Sequence, residues 1–143
     1  MSSNDVPAFT IHACDGGGLV EFYDFHKDSK GAVESFSVRL TVAGLSATIG
    51  VTAGYSPPLA GYFEEIARNW RGWSGSREWS SLEGECTIKS TNDGRGHIAI
   101  DIRLRQNVPA GWTASATIST EAGLLERIAA DCRRVADGHA LNG

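Results

Sequence analysis

From Val33 to Val42 the residues Phe36, Val38, Leu40 and Val42 alternate with Ser35, Ser37, Arg39 and Thr41. After Ala43-Gly44, the residues Ala47, Ile49, Val51 and Ala53 alternate with Ser46, Thr48, Gly50 and Thr52. A strand turns successive side chains to opposite faces, so this period predicts strands with one buried and one wet face. The short break between the two runs predicts a hairpin. The same alternation returns from Leu82 to Lys89, from His97 to Arg105 and from Trp112 to Ser119. In the run from His97, the residues Ile98, Ile100, Ile102 and Leu104 face one way, and His97, Ala99, Asp101, Arg103 and Arg105 the other. Two shorter β-prone stretches, Phe9 to Ala13 and Leu19 to Phe25, precede them.

Twice the period changes. Behind Ser56-Pro57-Pro58, a possible capping residue followed by prolines tolerated in a first turn, come Leu59, Tyr62, Phe63, Ile66, Ala67 and Trp70. That spacing is one helical stripe, and Gly72 ends it. A second stripe, Leu124, Leu125, Ile128, Ala129, Cys132, Val135 and Ala136, predicts a helix from about Glu121 to Ala136 with Ser119 or Thr120 as cap. The reading is α+β: an antiparallel sheet of about seven strands, order ββββαβββα, with two amphipathic helices packed on one face. Arg71 to Ser81 reads as a Gly/Ser-rich loop.

A chain of 143 residues fits one domain, here residues 1–143, with 1–7 and 138–143 expected to fray. Apolar content of 41% and charged content of 21% are ordinary for a globular chain. The net charge of −4 argues against nonspecific binding to nucleic acid or anionic membrane, which needs a basic patch. Cys14, Cys86 and Cys132 are odd in number and lack CxxC spacing, which argues against a disulfide framework or zinc knuckle. With neither a signal-peptide pattern nor a long apolar run, the expected location is the cytoplasm.

The chemistry-bearing residues are sparse. His97 and Asp101 share a strand face, but residues four apart on a strand lie about 13 Å apart. His12, His26 and His139 show no ligand spacing, so no metal is expected. Asp15-Gly16-Gly17-Gly18 precedes a strand-like segment, whereas a phosphate loop opens a helix. No catalytic residue and no cofactor is assigned. Of the four tryptophans, Trp70 and Trp112 fit apolar stripes and read as core. Trp79 reads as tethering its loop to the sheet edge, and Trp73 as an apolar contact for a partner.

The stretch from Gly54 to Leu104 carries an aromatic helix ending in Trp70, then Gly72, Trp79 followed by Leu82-Glu83-Gly84, and Asp93-Gly94 leading to Gly96-His97. These features resemble a bacterial family of unknown function, numbered 6228. The same rhythm is similar to that of small proteins grouped with WapI-type immunity proteins of contact-dependent toxin systems. The resemblance implies no catalytic residues. It implies an immunity protein that binds a toxin.

The leading expectation is therefore a non-enzymatic protein-binding module, in its narrower form such an immunity protein. Its docking surface would be the open sheet face with Arg39, Asp101, Arg103 and Arg105, joined by Trp73 and Arg77 from the neighbouring loop. The alternative is a small-molecule-binding or enzymatic domain with its ligand between the sheet and the first helix. A third reading is a homodimer formed through the open sheet.

Overall fold

The computed structural model describes residues 8–137; the expected fraying of 1–7 and 138–143 lies outside them. The elements are β1 (Phe9–His12), β2 (Gly18–Lys27), β3 (Val33–Val42), β4 (Leu45–Thr52), α1 (Leu59–Arg68), β5 (Ser76–Ser80), β6 (Cys86–Asn92), β7 (His97–Arg105), β8 (Thr113–Glu121) and α2 (Leu125–Ala136). The chain is α+β and its strands are antiparallel, as the alternation predicts. There are eight strands where about seven were counted, and they divide into two four-stranded sheets, β1-β2-β3-β4 and β5-β6-β7-β8. Each sheet is a meander, and α1 carries the chain from one to the other.

The added strand is β5, which lies inside the stretch read as a loop. Its register pairs Trp79 with Ile88 and Arg77 with Ser90. One apolar residue among Ser, Arg and Glu leaves no alternation to read, so burial of Trp79 defines the strand only in three dimensions.

Both sheets turn their apolar faces into one core. Val20, Phe22, Phe36, Val38 and Leu40 of the first join Ile88, Ile98, Ile100, Ile102, Leu104 and Ile118 of the second. Phe63 and Ile66 of α1 and Leu125 and Ile128 of α2 belong to the same cluster. Phe63 meets Phe9 and Phe22 edge-on at ring distances of 6.2 and 6.4 Å, a favoured aromatic geometry. The helices pack on each other, with α2 also against β1 and α1 against β5. A forked ion pair joins them on the outside: Arg133 Nε donates to Glu64 Oε2 at 2.8 Å and Nη2 to Oε1 at 2.6 Å. The Arg133 fork holds the Glu64 carboxyl below its ordinary pKa.

Several local expectations are corrected. Trp70 is 48% exposed because α1 ends at Arg68 and the chain turns at Asn69, so the helical period no longer applies to it. Trp112 is 36% exposed because it precedes the first residue of β8. Ser56 does not cap α1; its Oγ accepts the Leu82 N–H at 2.8 Å. Ser119 and Thr120 are strand residues, since β8 runs to Glu121 and a 3₁₀ turn at Ala122–Leu124 leads into α2. Leu124, in that turn, is exposed.

Candidate binding surface

The outer face of the second sheet is built by the residues between the inward ones. The register sets Glu78, Lys89, Asp101 and Thr117 in one row across β5, β6, β7 and β8. Ser80, Thr87, Arg103 and Ser115 form the next row. Adjacent strands lie about 4.8 Å apart, so groups in a row are close neighbours. Together the two rows line an open depression of about 610 Å³. Thr117 Oγ1 donates to Asp101 Oδ1 at 2.5 Å, and the hydroxyls of Ser80 and Thr87 are 3.2 Å apart. The side chains of Glu78, Lys89 and Arg103 make no hydrogen bond or ion pair among the described residues. The face thus presents charges of both signs, held on rigid strands and framed by hydroxyls.

The six residues expected to form one surface fall in three places. Asp101 and Arg103 lie in the depression. Arg105 is one row beyond, opposite Thr113, with its guanidinium over the β5–β6 turn. Gly84 in that turn has φ +78°, a backbone conformation that favours glycine, and a Cβ there would lie 3.1 Å from Arg105 Nη2, a contact that a small shift of the guanidinium relieves.

Arg39 stands on the first sheet, where Nε donates to Glu21 Oε1 at 2.8 Å and the guanidinium lies 4.9 Å from the Tyr23 ring centre. Alternation gives the phase of a residue along its strand and says nothing of which sheet the strand joins. Trp73 and Arg77 stand on the inward side of the second sheet, against α1. Trp73 Nε1 donates to the Ser90 carbonyl at 3.3 Å, and Arg77 reaches Glu65 at 3.5 Å and the Trp73 ring at 5.9 Å. Beside them Tyr62 donates to the Arg77 carbonyl at 3.0 Å and shares a 2.6 Å hydrogen bond with Ser90 Oγ. Burial pushes the Tyr62 hydroxyl up to about 12.

Sequence reasoning did not reach Glu78, Lys89, Ser80, Thr87, Ser115 and Thr117 as members of this surface. The alternation of Thr87 and Lys89 with Cys86 and Ile88, and of Ser115 and Thr117 with Ala114 and Ala116, signals four of them. Nothing local signals Glu78, because its strand was not legible.

A second, more enclosed cavity of about 370 Å³ lies where β2, β3 and the ends of the two helices meet. Phe25, Phe36, Leu59, Trp79 and Cys132 supply its apolar wall. Burial pushes the thiols of Cys86 and Cys132 up to about 12, so both stay protonated near neutrality. His97 turns away from Asp101; its Nδ1 meets Asp93 Oδ2 at 2.7 Å. Among the described residues no group of three or more His, Cys, Asp or Glu side chains is gathered to hold a metal ion. Among the same residues no helix is long and apolar enough to cross a membrane.

The two-sheet architecture is similar to that of the plant transcriptional regulator PBF-2, with a TM-score of 0.50 over 90% of this chain and 79% of that one. Sequence identity is 11%, so the likeness is one of fold. Among curated proteins none matches the sequence. A family model, DUF6228, described as a family of unknown function, matches residues 11–139. That span covers most of the chain, and the protein belongs to this family.

Proposed function

We propose that this chain is a non-enzymatic binding domain that holds a protein partner against the outer face of its second sheet. The observation that carries the reading is a set of charges that make no hydrogen bond or ion pair among the described residues: Glu78, Lys89 and Arg103, grouped with Asp101 around one depression. The short hydroxyl side chains lose little conformational freedom when a partner orders them, whereas ordering Glu78, Lys89 and Arg103 costs about 0.5–1.5 kcal/mol each, which ion pairs to the partner must offset. A pattern of both signs selects a complementary surface and steers its approach. The narrower form of the proposal is an immunity protein that neutralises a cognate bacterial toxin by stoichiometric binding. It is motivated by the rhythm of the stretch Gly54 to Leu104, and the family to which the chain belongs has no known function. The test is capture of a stoichiometric partner from the native organism by the wild-type chain and by a Lys89→Glu, Arg103→Glu double variant. Capture by the wild type and its loss in the variant support the reading. Catalytic turnover of a small molecule by the isolated chain overturns it.

The apolar cavity favours a second reading, a small-molecule site between the first sheet and the start of α1. Ala136, half-buried on α2, lines it, and Ala136→Phe adds bulk at that wall. Apolar ligands that raise Tm of the wild type and leave that of Ala136→Phe unchanged would favour this reading.

A further inference from the structure

The two sheets have four edge strands, and the helices treat them unequally. α2 covers β1 and α1 covers β5. Among the described residues the edge of β8 is guarded only at one end, where Ser119 O accepts the Cys14 N–H at 2.8 Å. That bond also shows which way the strand faces. Odd-numbered residues of β8 turn their backbone groups away from β7, while Trp112 O and the Ala122 N–H bond back toward β7 and its turn. The amides and carbonyls of Thr113, Ser115 and Thr117 therefore point outward, and they make no hydrogen bond among the described residues. The stretch contains no proline or charge, and its register with β7 runs without a bulge, so it lacks the usual protections of an exposed edge.

Its sequence is a palindrome: Thr113-Ala114-Ser115-Ala116-Thr117. We infer that this edge pairs with the same edge of a second copy of the chain, antiparallel, about a two-fold axis at Ser115. In that register Ser115 faces Ser115, each alanine faces an alanine and each threonine a threonine, which makes the contact self-complementary. The outward backbone groups of three residues per copy then exchange about six hydrogen bonds. Asp101 lies beside Thr117 and Arg105 beside Thr113, so the two flanking outer rows run from Asp101 of one copy toward Arg105 of the other. The central row carries Arg103 of both copies beyond the paired Ser115 residues, about 14 Å apart over three strand spacings, where solvent and salt screen most of the repulsion. Val108 and Trp112, 56% and 36% exposed, sit at the open end of the edge and lose water on pairing. The pairing joins the two polar outer faces into one continuous surface with two depressions. It stands independently of the proposed protein partner, and its readout is mass alone.

The experiment is sedimentation equilibrium of the full chain from roughly 1 to 200 μM, a range suited to a contact at the small end of interface sizes. The wild-type chain should show a monomer–dimer equilibrium. Ser115→Pro removes an N–H that serves no bond within the sheet and should give a monomer; Ser115→Lys, which places like charges at the axis, should do the same in case proline disturbs the strand. Ser115→Cys in a Cys14→Ser background should form an interchain disulfide on oxidation, because such strand pairs hold Cα atoms about 5.5 Å apart. The wild type remaining a monomer throughout would overturn the inference. So would a dimer that survives both Ser115→Pro and Ser115→Lys, or one abolished by Thr48→Pro on the edge of β4.

Discussion

Trp79 donates its indole N–H to the Pro57 carbonyl at 2.6 Å, which ties the first strand of the second sheet to the residues that open α1. The same ring is 2% exposed and lies 6.2 Å from the ring of Phe36 in the first sheet. One side chain thus joins both sheets and the crossover between them. Trp79→Ala should cost about 3–5 kcal/mol in a denaturant titration. Trp79→Phe keeps most of the buried ring but leaves the Pro57 carbonyl without its donor, and should cost about 1–3 kcal/mol. Equal losses for the two variants would show that the hydrogen bond, and not the ring, holds the joint.

Ile100 is fully buried in the middle of β7, between Ser90 and Ile118. Ile100→Ala removes buried methyl groups where two sheets face each other and should cost about 2–5 kcal/mol. A loss under about 1 kcal/mol would contradict the shared core.

Thr120 is 1% exposed, and among the described residues its Oγ1 is the buried side-chain polar atom without a hydrogen-bond partner. Thr120→Val keeps the shape and removes the unsatisfied hydroxyl, so it should stabilise the chain by about 1 kcal/mol. The sign of the change in denaturation midpoint checks it. A destabilised Thr120→Val variant would mean that the hydroxyl is satisfied in solution.

Asp93 accepts the Arg95 N–H at 2.7 Å and the His97 N–H at 3.1 Å through Oδ1, and meets the His97 ring at 2.7 Å through Oδ2. The Arg95 amide bond, followed by the His97 side chain, lowers its pKa from 3.8 to about 2. A carboxyl lowered on folding stabilises the native state fully above its unfolded pKa and loses that contribution as pH falls through the folded value. The advantage of wild type over Asp93→Asn should therefore hold above pH 3.8 and shrink between pH 3.8 and about 2. Thermal unfolding of both chains across that range checks the sign; a difference that grows toward low pH would contradict it.

The legible parts of this protein were those where neighbours in sequence share one environment. The runs in β3, β4 and β7 alternate cleanly because every second residue enters the core, and they placed Asp101, Arg103 and Arg105 on a wet face. The division into two sheets was not legible, since period-two alternation is the same whichever strands pair. That is why Arg39, in the correct phase, proved to be on the other sheet and bound to Glu21. Trp70 and Trp112 were misplaced by one turn or one residue, where a periodic pattern had been carried past the end of its element. Trp73 sits in a loop whose position depends on long-range bonds, its own to Ser90 O and that of Asn92 Nδ2 to Trp70 O at 2.9 Å.

The central claim is that the outer face of the second sheet is the binding surface, and a calorimetric titration of the captured partner against three chains tests it most directly. Arg103→Glu reverses a charge in the depression and should weaken binding by at least about tenfold, with the loss deepening at low salt. Trp73→Ala lies on the inward side of the same sheet and should leave affinity within about twofold of wild type. Unchanged affinity for Arg103→Glu, or a loss confined to Trp73→Ala, would contradict the account.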